Sequence, residues 1–525
     1  MLDRLHPSDT AQLEECAERF GNPLGSKSPE NNRVPGSIYL RLIFAFVAVG
    51  GWCRVAQYVS NQSFYSEEVA LLMNLQQHSA REVAFVKLES MSAAMPQAAP
   101  PVFLWATKWM GDTFGYSEWS VRSLPLLCSL AALVLFANLA WRLAPGAAAV
   151  WAVAMFAFCD PIFFESATAK PYSGDVLAAT LIAWVGMAWR PATANLAAAP
   201  GRRLLAASLV TAVCLWFSYP AVFVFAGLSV AIWSQMRRGG MSALVRWSLY
   251  LLPAVISFLV VYCISMRIQN TTDMMIHWMS RFPNYAHPGL LPGWAIGLTW
   301  DMFRIAFYPL GGLLLFAAIL GIWILWKKPA HSLLILLAAP MALTFFAGCL
   351  GQYPWGGTRL TMFLIPFQCL LAGIGIAALR DLLPGPWRLI QLIPAAVPAT
   401  MIVLAVYHLA IPRSHGDMRQ AAKYLADHRA AGEAVYVMGP QSVEEARWFL
   451  PQADSGILSM ENPSAPISVH QFWMVFSFEP RRFDDVKPAL ARPGYTIDAK
   501  RSLRAPGVNV LWFVADAAPA AEAGE

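Results

Sequence analysis

Residues 204–236 read LLAASLVTAVCLWFSYPAVFVFAGLSVAIWSQM, a run without a charged side chain, bounded by Arg202 and Arg203 before it and Arg237 and Arg238 after it. A helix needs about 20 mostly apolar residues to cross the hydrocarbon of a bilayer. The run therefore predicts two short spans, 204–218 and 220–236, joined at Ser218-Tyr219-Pro220 with almost no loop. Outward from this pair, further spans are predicted near 38–57, 120–141, 146–163, 175–189, 246–266, 302–326, 331–350, 359–379 and 389–410, eleven in all. The fourth, fifth and sixth are short, so merging or re-entry there is also compatible with the pattern. The expected fold class is a polytopic α-helical membrane protein.

Composition points the same way. Hydrophobic residues make up 57% of the 525 and charged residues 13%, with a mean hydropathy of +0.47. Soluble proteins spend about a quarter of their residues on charge, so this chain lacks the polar surface to stay in water. The net charge of +6 would suit a nucleic-acid partner, but the basic residues are scattered between apolar runs and form no stripe. A topology signal accounts for them better, and no nucleic acid is expected. The eight cysteines lie mostly in apolar stretches without a CxxC pair, which indicates neither a zinc ribbon nor a disulfide framework.

With a cytoplasmic N-terminus, one set of loops holds Arg142, Arg190, Arg202, Arg203, Arg237, Arg238, Arg246, Lys327, Lys328, Arg380 and Arg388. The other set holds far fewer, as the positive-inside rule requires. Three regions follow: a cytoplasmic segment 1–37, a transmembrane region 38–411 with a long first outer loop 58–119, and a soluble extracytoplasmic α/β domain 412–525. Segment 1–37 has no apolar core after a basic start, so the first span is expected to direct insertion into the inner (plasma) membrane. In the C-terminal region MRQAAKYLADHRAAG predicts a polar helix ending at Gly432, and EEARWFL another helix. AVYVMG, FWMVFSF and VNVLWFV predict strands.

The outer loops carry the candidate chemistry. In SFYSEEVALLMNLQQHS (63–79), Glu67 and Glu68 have a plain reading: Ser66 caps a helix whose dipole favours acids in its first turn. The functional reading makes one carboxylate a general base held at the membrane surface. In FESATAKPYSGD (164–175), Lys170, Tyr172 and Asp175 sit at a span's outer end, where a lysine and a tyrosine either anchor the interface or clamp a phosphate. In GQYPWGGTR (351–359), Tyr353 and Trp355 fit an aromatic belt, the two glycines admit close backbone approach, and Arg359 suits a lipid headgroup or a bound phosphate. Gly373-x-Gly375-x-x-Ala378 imitates part of a dinucleotide fingerprint, but no strand precedes it and helix packing explains it. His277 and His287 lack metal-like spacing.

Together these loops resemble the bacterial relatives of protein O-mannosyltransferases and of the lipid A aminoarabinose transferase, the GT-C class of membrane glycosyltransferases. The family's acidic pair leading a helix matches Glu67-Glu68-x-x-Leu71-x-x-Asn74, and its proline-rich stretch matches Gln97 to Pro101. Its Gly-x-x-Glu-x-x-x-Arg segment matches Gly115, Glu118 and Arg122, its K-P-Y-S-x-D run matches Lys170 to Asp175, and its late Y-P-x-G-x-R loop matches Tyr353 to Arg359 with one extra residue. The family's usual Asp is Glu here at position 67. The resemblance covers roughly residues 38–410. It implies a polyprenyl-phosphate-linked sugar as donor, reached from the outer leaflet, and a glycan, lipid or protein hydroxyl as acceptor. Glu67 or Glu68 would serve as base in an inverting transfer. Lys170, Tyr172, Asp175, Tyr353 and Arg359 would form the donor-binding set; no cofactor is implied with certainty, although a divalent metal ion could assist. Three other readings compete: a transporter or flippase of lipid-linked sugar, a polysaccharide polymerase or ligase acting through Arg281 and His287, and an inactive relative serving as a scaffold.

Overall fold

A computed structural model describes residues 36–516 apart from 90–96, 188–200, 237–239, 329, 383–392, 414–415, 439, 451–456, 461–468, 478–493 and 506–507. The predicted segment 1–37 therefore lies almost wholly outside the described residues, as do the loop arginines Arg190, Arg237, Arg238 and Arg388. The longer helices of the apolar region begin with α1 Gly36–Val59, α2 Ser66–Gln77, α3 Pro101–Phe114, α4 Glu118–Leu143, α5 Ala147–Ala157, α6 Tyr172–Met187, α7 Gly201–Phe217 and α8 Ala221–Met236. They continue with α9 Gly240–Gln269, α10 Leu291–Ala306, α11 Gly311–Lys327, α12 His331–Cys349, α13 Ile365–Leu382 and α14 Ile393–Ala410.

Five helices among the described residues are long and apolar enough to cross a bilayer: 36–59, 118–143, 240–269, 331–349 and 359–379. The bent pair α10–α11 makes a sixth if taken as one span, and four shorter apolar helices run within 147–157, 205–217, 221–234 and 395–410. The expected span 302–326 is not one straight helix. The chain breaks at Tyr308-Pro309, and the two halves meet at 111°. Pro309 has no N–H to continue the ladder, and Gly311 lies where a Cβ would strike the Phe303 carbonyl. The expected span 146–163 likewise stops at Ala157, because Asp160-Pro161 opens a separate short helix, Asp160–Glu165.

Small residues set the helix contacts. A Cβ on Gly375 would run into the Ala317 carbonyl, one on Gly321 into that of Leu371, and one on Gly373 would lie 2.5 Å from that of Ala148. The Gly373-x-Gly375 pair thus brings α13 against α11 on one side and α5 on the other, as the packing reading expects. In α1, Arg54 is fully buried. Its guanidinium donates to the carbonyls of Gly50 and Ala157 at 2.8 Å and Phe156 at 3.2 Å, and to the Ser129 hydroxyl at 2.9 Å. It satisfies carbonyls that α5 leaves open at its C-terminal end.

Beyond α14 the chain forms α15 Met418–His428, β1 Ala434–Met438, α16 Pro440–Phe449, β2 Ile457–Met460, β3 Gln471–Ser477, β4 Tyr495–Ile497, β5 Leu503–Ala505 and β6 Val508–Ala515. The sheet order is β2-β1-β3-β6-β4, with β5 also on β6; β1 runs parallel to β2 and β3, and β6 antiparallel to its partners. Alternate residues serve two faces, as strand geometry requires. Val435, Val437, Trp473, Val475, Val510 and Trp512 pack with α15 and α16, while Phe472, Met474, Leu511 and Phe513 build the opposite layer. The predicted helix 418–432 ends earlier, at His428, where the Arg429 N–H bonds to the Leu425 carbonyl.

Candidate functional site

Glu67 and Glu68 open α2, and consecutive helical residues point about 100° apart. One therefore reaches a cavity and the other the packed interior. The Glu68 side chain is 0% exposed and that of Glu67 23%. Every lone-pair direction of Glu68 is occupied: Arg122 Nε and Nη2 donate to Oε1 and Oε2 at 2.9 and 2.5 Å, Ala169 N–H to Oε1 at 2.6 Å, and Tyr65 N–H to Oε2 at 3.3 Å. Arg122 also lies over the Phe64 ring. Glu68 ties α2 to α4 and to the loop before Lys170, and it does not line the cavity.

Glu67 does line it, together with Lys170, Tyr172, Asp175, Tyr353 and Arg359. Arg359 Nη2 donates to Glu67 Oε1 at 2.5 Å and Nη1 to the Tyr65 hydroxyl at 3.0 Å. The Tyr172 ring lies under the guanidinium at 5.4 Å. Lys170 Nζ stands 3.9 Å from Glu67 Oε2 and donates to Gln97 Oε1 at 2.7 Å. Burial pulls the Lys170 ammonium down to about 8, against the opposing pull of Glu67. Tyr353 donates to the Leu360 carbonyl at 2.8 Å, and Asp175 is 4% exposed at the base of the site.

The cavity holds about 170 Å³. The end of α9 and the segment after it add Met266, Met274, Met275, Trp278 and Phe282 to the lining, with Gln269, Asn270 and His277 among them. The lining thus combines two cations beside a carboxylate with sulfur and aromatic surface. That is the complement of an amphiphile with an anionic head.

Sequence reasoning missed several participants. Gln97 is more than part of a proline-rich stretch, since it holds Lys170. Asn74 bonds Glu89 in both directions, at 2.7 and 2.9 Å, pinning the loop after α2. Glu165 is 2% exposed, its Oε2 has no hydrogen-bond partner, and burial pushes its carboxyl up to about 7. The expected cap Ser66 is the first helical residue, with Tyr65 at the N-cap, and the acceptor for the Ser66 N–H is Glu445 of α16 at 2.5 Å. Of the residues named for a polymerase, Arg281 pairs with Asp301 at 3.1 Å and His287 is exposed, and neither lines the cavity. No group of three or more His, Cys, Asp or Glu that could hold a metal ion gathers among the described residues.

No protein-family model matches the chain, and no curated protein matches it significantly. Among solved structures, ArnT from Cupriavidus metallidurans bound to undecaprenyl phosphate is similar at a TM-score of 0.48 and 13% identity, over 90% of this chain and 97% of that one. The Archaeoglobus fulgidus oligosaccharyltransferase in complex with zinc and sulfate is similar at 0.43 and 12%, over 86% and 71%. The arabinofuranosyltransferase AftD from Mycobacteria is similar at 0.38 and 12%, over 91% and 40%.

Proposed function

We propose that the protein is a membrane glycosyltransferase that moves a sugar from a polyprenyl-phosphate donor to an acceptor hydroxyl on the extracytoplasmic face. Glu67 is the general base. The observation that carries this reading is the convergence of Glu67, Lys170 and Arg359 on one cavity that is also lined by methionines and aromatic rings. The phosphate head would sit at the two cations and the prenyl chain against the methionines and Trp278.

The acceptor oxygen attacks the anomeric carbon and gives its proton to the Glu67 carboxylate. The bond from that carbon to the phosphate oxygen breaks, and the electron pair leaves with the lipid phosphate. A single displacement inverts the anomeric centre. Lys170 and Arg359 meet the charge that develops on the leaving group. Arg359 is paired with Glu67 itself. A phosphate competing for Arg359 draws the guanidinium away and frees the carboxylate to accept a proton, so donor binding and base activation become one event.

The test is incubation of the purified protein with a panel of polyprenyl-phosphate sugars, reading released lipid phosphate. Glu67→Gln is expected to lower turnover by about 10²–10⁴-fold, the usual worth of a positioned base. Release at the wild-type rate in that variant removes Glu67 from the chemistry.

A further inference from the structure

The first turn of α2 carries Glu67; in that turn the Glu68 N–H bonds the Tyr65 carbonyl at 2.9 Å, while the Ser66 N–H, at the very start of the helix, has no i−4 carbonyl to use. Tyr65 stands at the N-cap, and its hydroxyl accepts from Arg359 at 3.0 Å. The gap is filled from a distant part of the chain. Glu445 Oε1, on α16, accepts from the Ser66 N–H at 2.5 Å across 379 positions of sequence. Glu445 is 7% exposed. The helix that brings it is seated on α2 by apolar contacts: Trp448 meets the Phe64 ring edge-on at 6.0 Å, and Phe449 packs on the cluster containing Val69 and Leu72.

We propose that Glu445 is a positioning residue, which through Ser66 fixes the first turn of α2 and hence the direction in which Glu67 meets the bound donor. The proposal rests on the reading of Glu67 as the base. It links the C-terminal sheet to the chemistry, because the sheet holds α16, and α16 holds the helix that carries the base. Displacements of about an ångström at a reacting group are enough to cost turnover, and Ser66 is the residue next to Glu67. A carboxyl oxygen at a helix N-terminus serves as acceptor for an N–H that the helix itself leaves open. Burial pushes Glu445 up to about 8, the negative charge of Glu68 adds to that push, and the hydrogen bonds from Ser66 oppose it. The acceptor is then largely a neutral carboxyl at pH 7, so a glutamine, whose amide oxygen also accepts, is the conservative replacement.

The experiment uses the full chain in detergent, with wild type, E445A and E445Q compared by hydrogen exchange over residues 64–75 and by kcat and KM for donor turnover. E445A is expected to speed exchange in the first turn of α2 about tenfold, as loss of a cap does. It should lower kcat about tenfold while KM stays within about twofold, the signature of a misdirected catalytic group. E445Q should restore both readouts. Unchanged exchange in E445A, or wild-type kcat despite faster exchange, overturns the proposal. If E445A does not fold, E445Q and E445D decide. Wild-type kcat in the first with a reduced kcat in the second, whose side chain is one methylene short, supports positioning; equal kcat in both overturns it. A parallel E67Q variant separates the two failures. An inactive E67Q with flat exchange in E445A rejects Glu445 alone, whereas an active E67Q rejects the base and this positioning role with it.

Discussion

The carboxylates of Glu67 and Glu68, adjacent in the chain, have opposite surroundings: Glu67 shares a cavity with Lys170 and Arg359, and Glu68 is sealed against Arg122. Their substitutions should therefore fail in different ways. Glu67→Gln is expected to keep wild-type thermal stability and lose turnover. Glu68→Gln leaves Arg122 buried without its counter-charge and should destabilise the fold by about 3 kcal/mol, the low end of the cost of breaking a buried pair. Thermal unfolding and turnover of both variants check this, and equal stability of the two would contradict the division of labour.

Arg359 and Lys170 are expected to hold the donor phosphate. Removing either charge-assisted contact should weaken donor affinity by about 1.5–3 kcal/mol, roughly 10–100-fold. Titration of Arg359→Ala and Lys170→Ala with a polyprenyl-phosphate sugar measures it. Unchanged affinity in both variants removes the phosphate clamp.

The depressed Lys170 ammonium gives the site a pH signature. Lys170 is protonated below about 8 and loses its proton as pH rises through that value. Donor affinity should accordingly be flat at neutral pH and fall above about 8, by up to about tenfold per pH unit. Glu67, Glu68 and Glu165 hold the ammonium up, and Arg359 pushes it down. Lys170→Arg keeps the charge at all accessible pH, so the break near 8 should vanish from its donor-affinity profile. A break that persists in the arginine variant belongs to another group.

Gly375 reports on helix packing rather than on nucleotide binding. In Gly375→Ala the new methyl meets the Ala317 carbonyl, and overpacking of this kind costs about 1–3 kcal/mol. A lowered unfolding temperature with no change in affinity for dinucleotides is the expected result.

Much of the molecule is legible from local pattern. The apolar runs place helices at or near the predicted spans, and the loops SFYSEEVALLMNLQQHS, FESATAKPYSGD and GQYPWGGTR contain Glu67, Lys170 and Arg359, which do meet. Local pattern fails at 302–326, where hydropathy runs smoothly across Tyr308-Pro309 but the backbone does not. It also fails at Ser66, a good N-cap by composition whose role passes to a residue 379 positions away.

Composition and periodicity alone determined that this chain is built of apolar helices with a strand-rich C-terminal part, because burial of apolar surface depends on which residues recur and how often. Only the tertiary structure decided which of two neighbouring glutamates faces the cavity, that Arg122 neutralises Glu68, and that Glu445 caps the helix of Glu67. Those outcomes depend on the angle at which one element meets another, and spacing along a single chain carries no record of that angle.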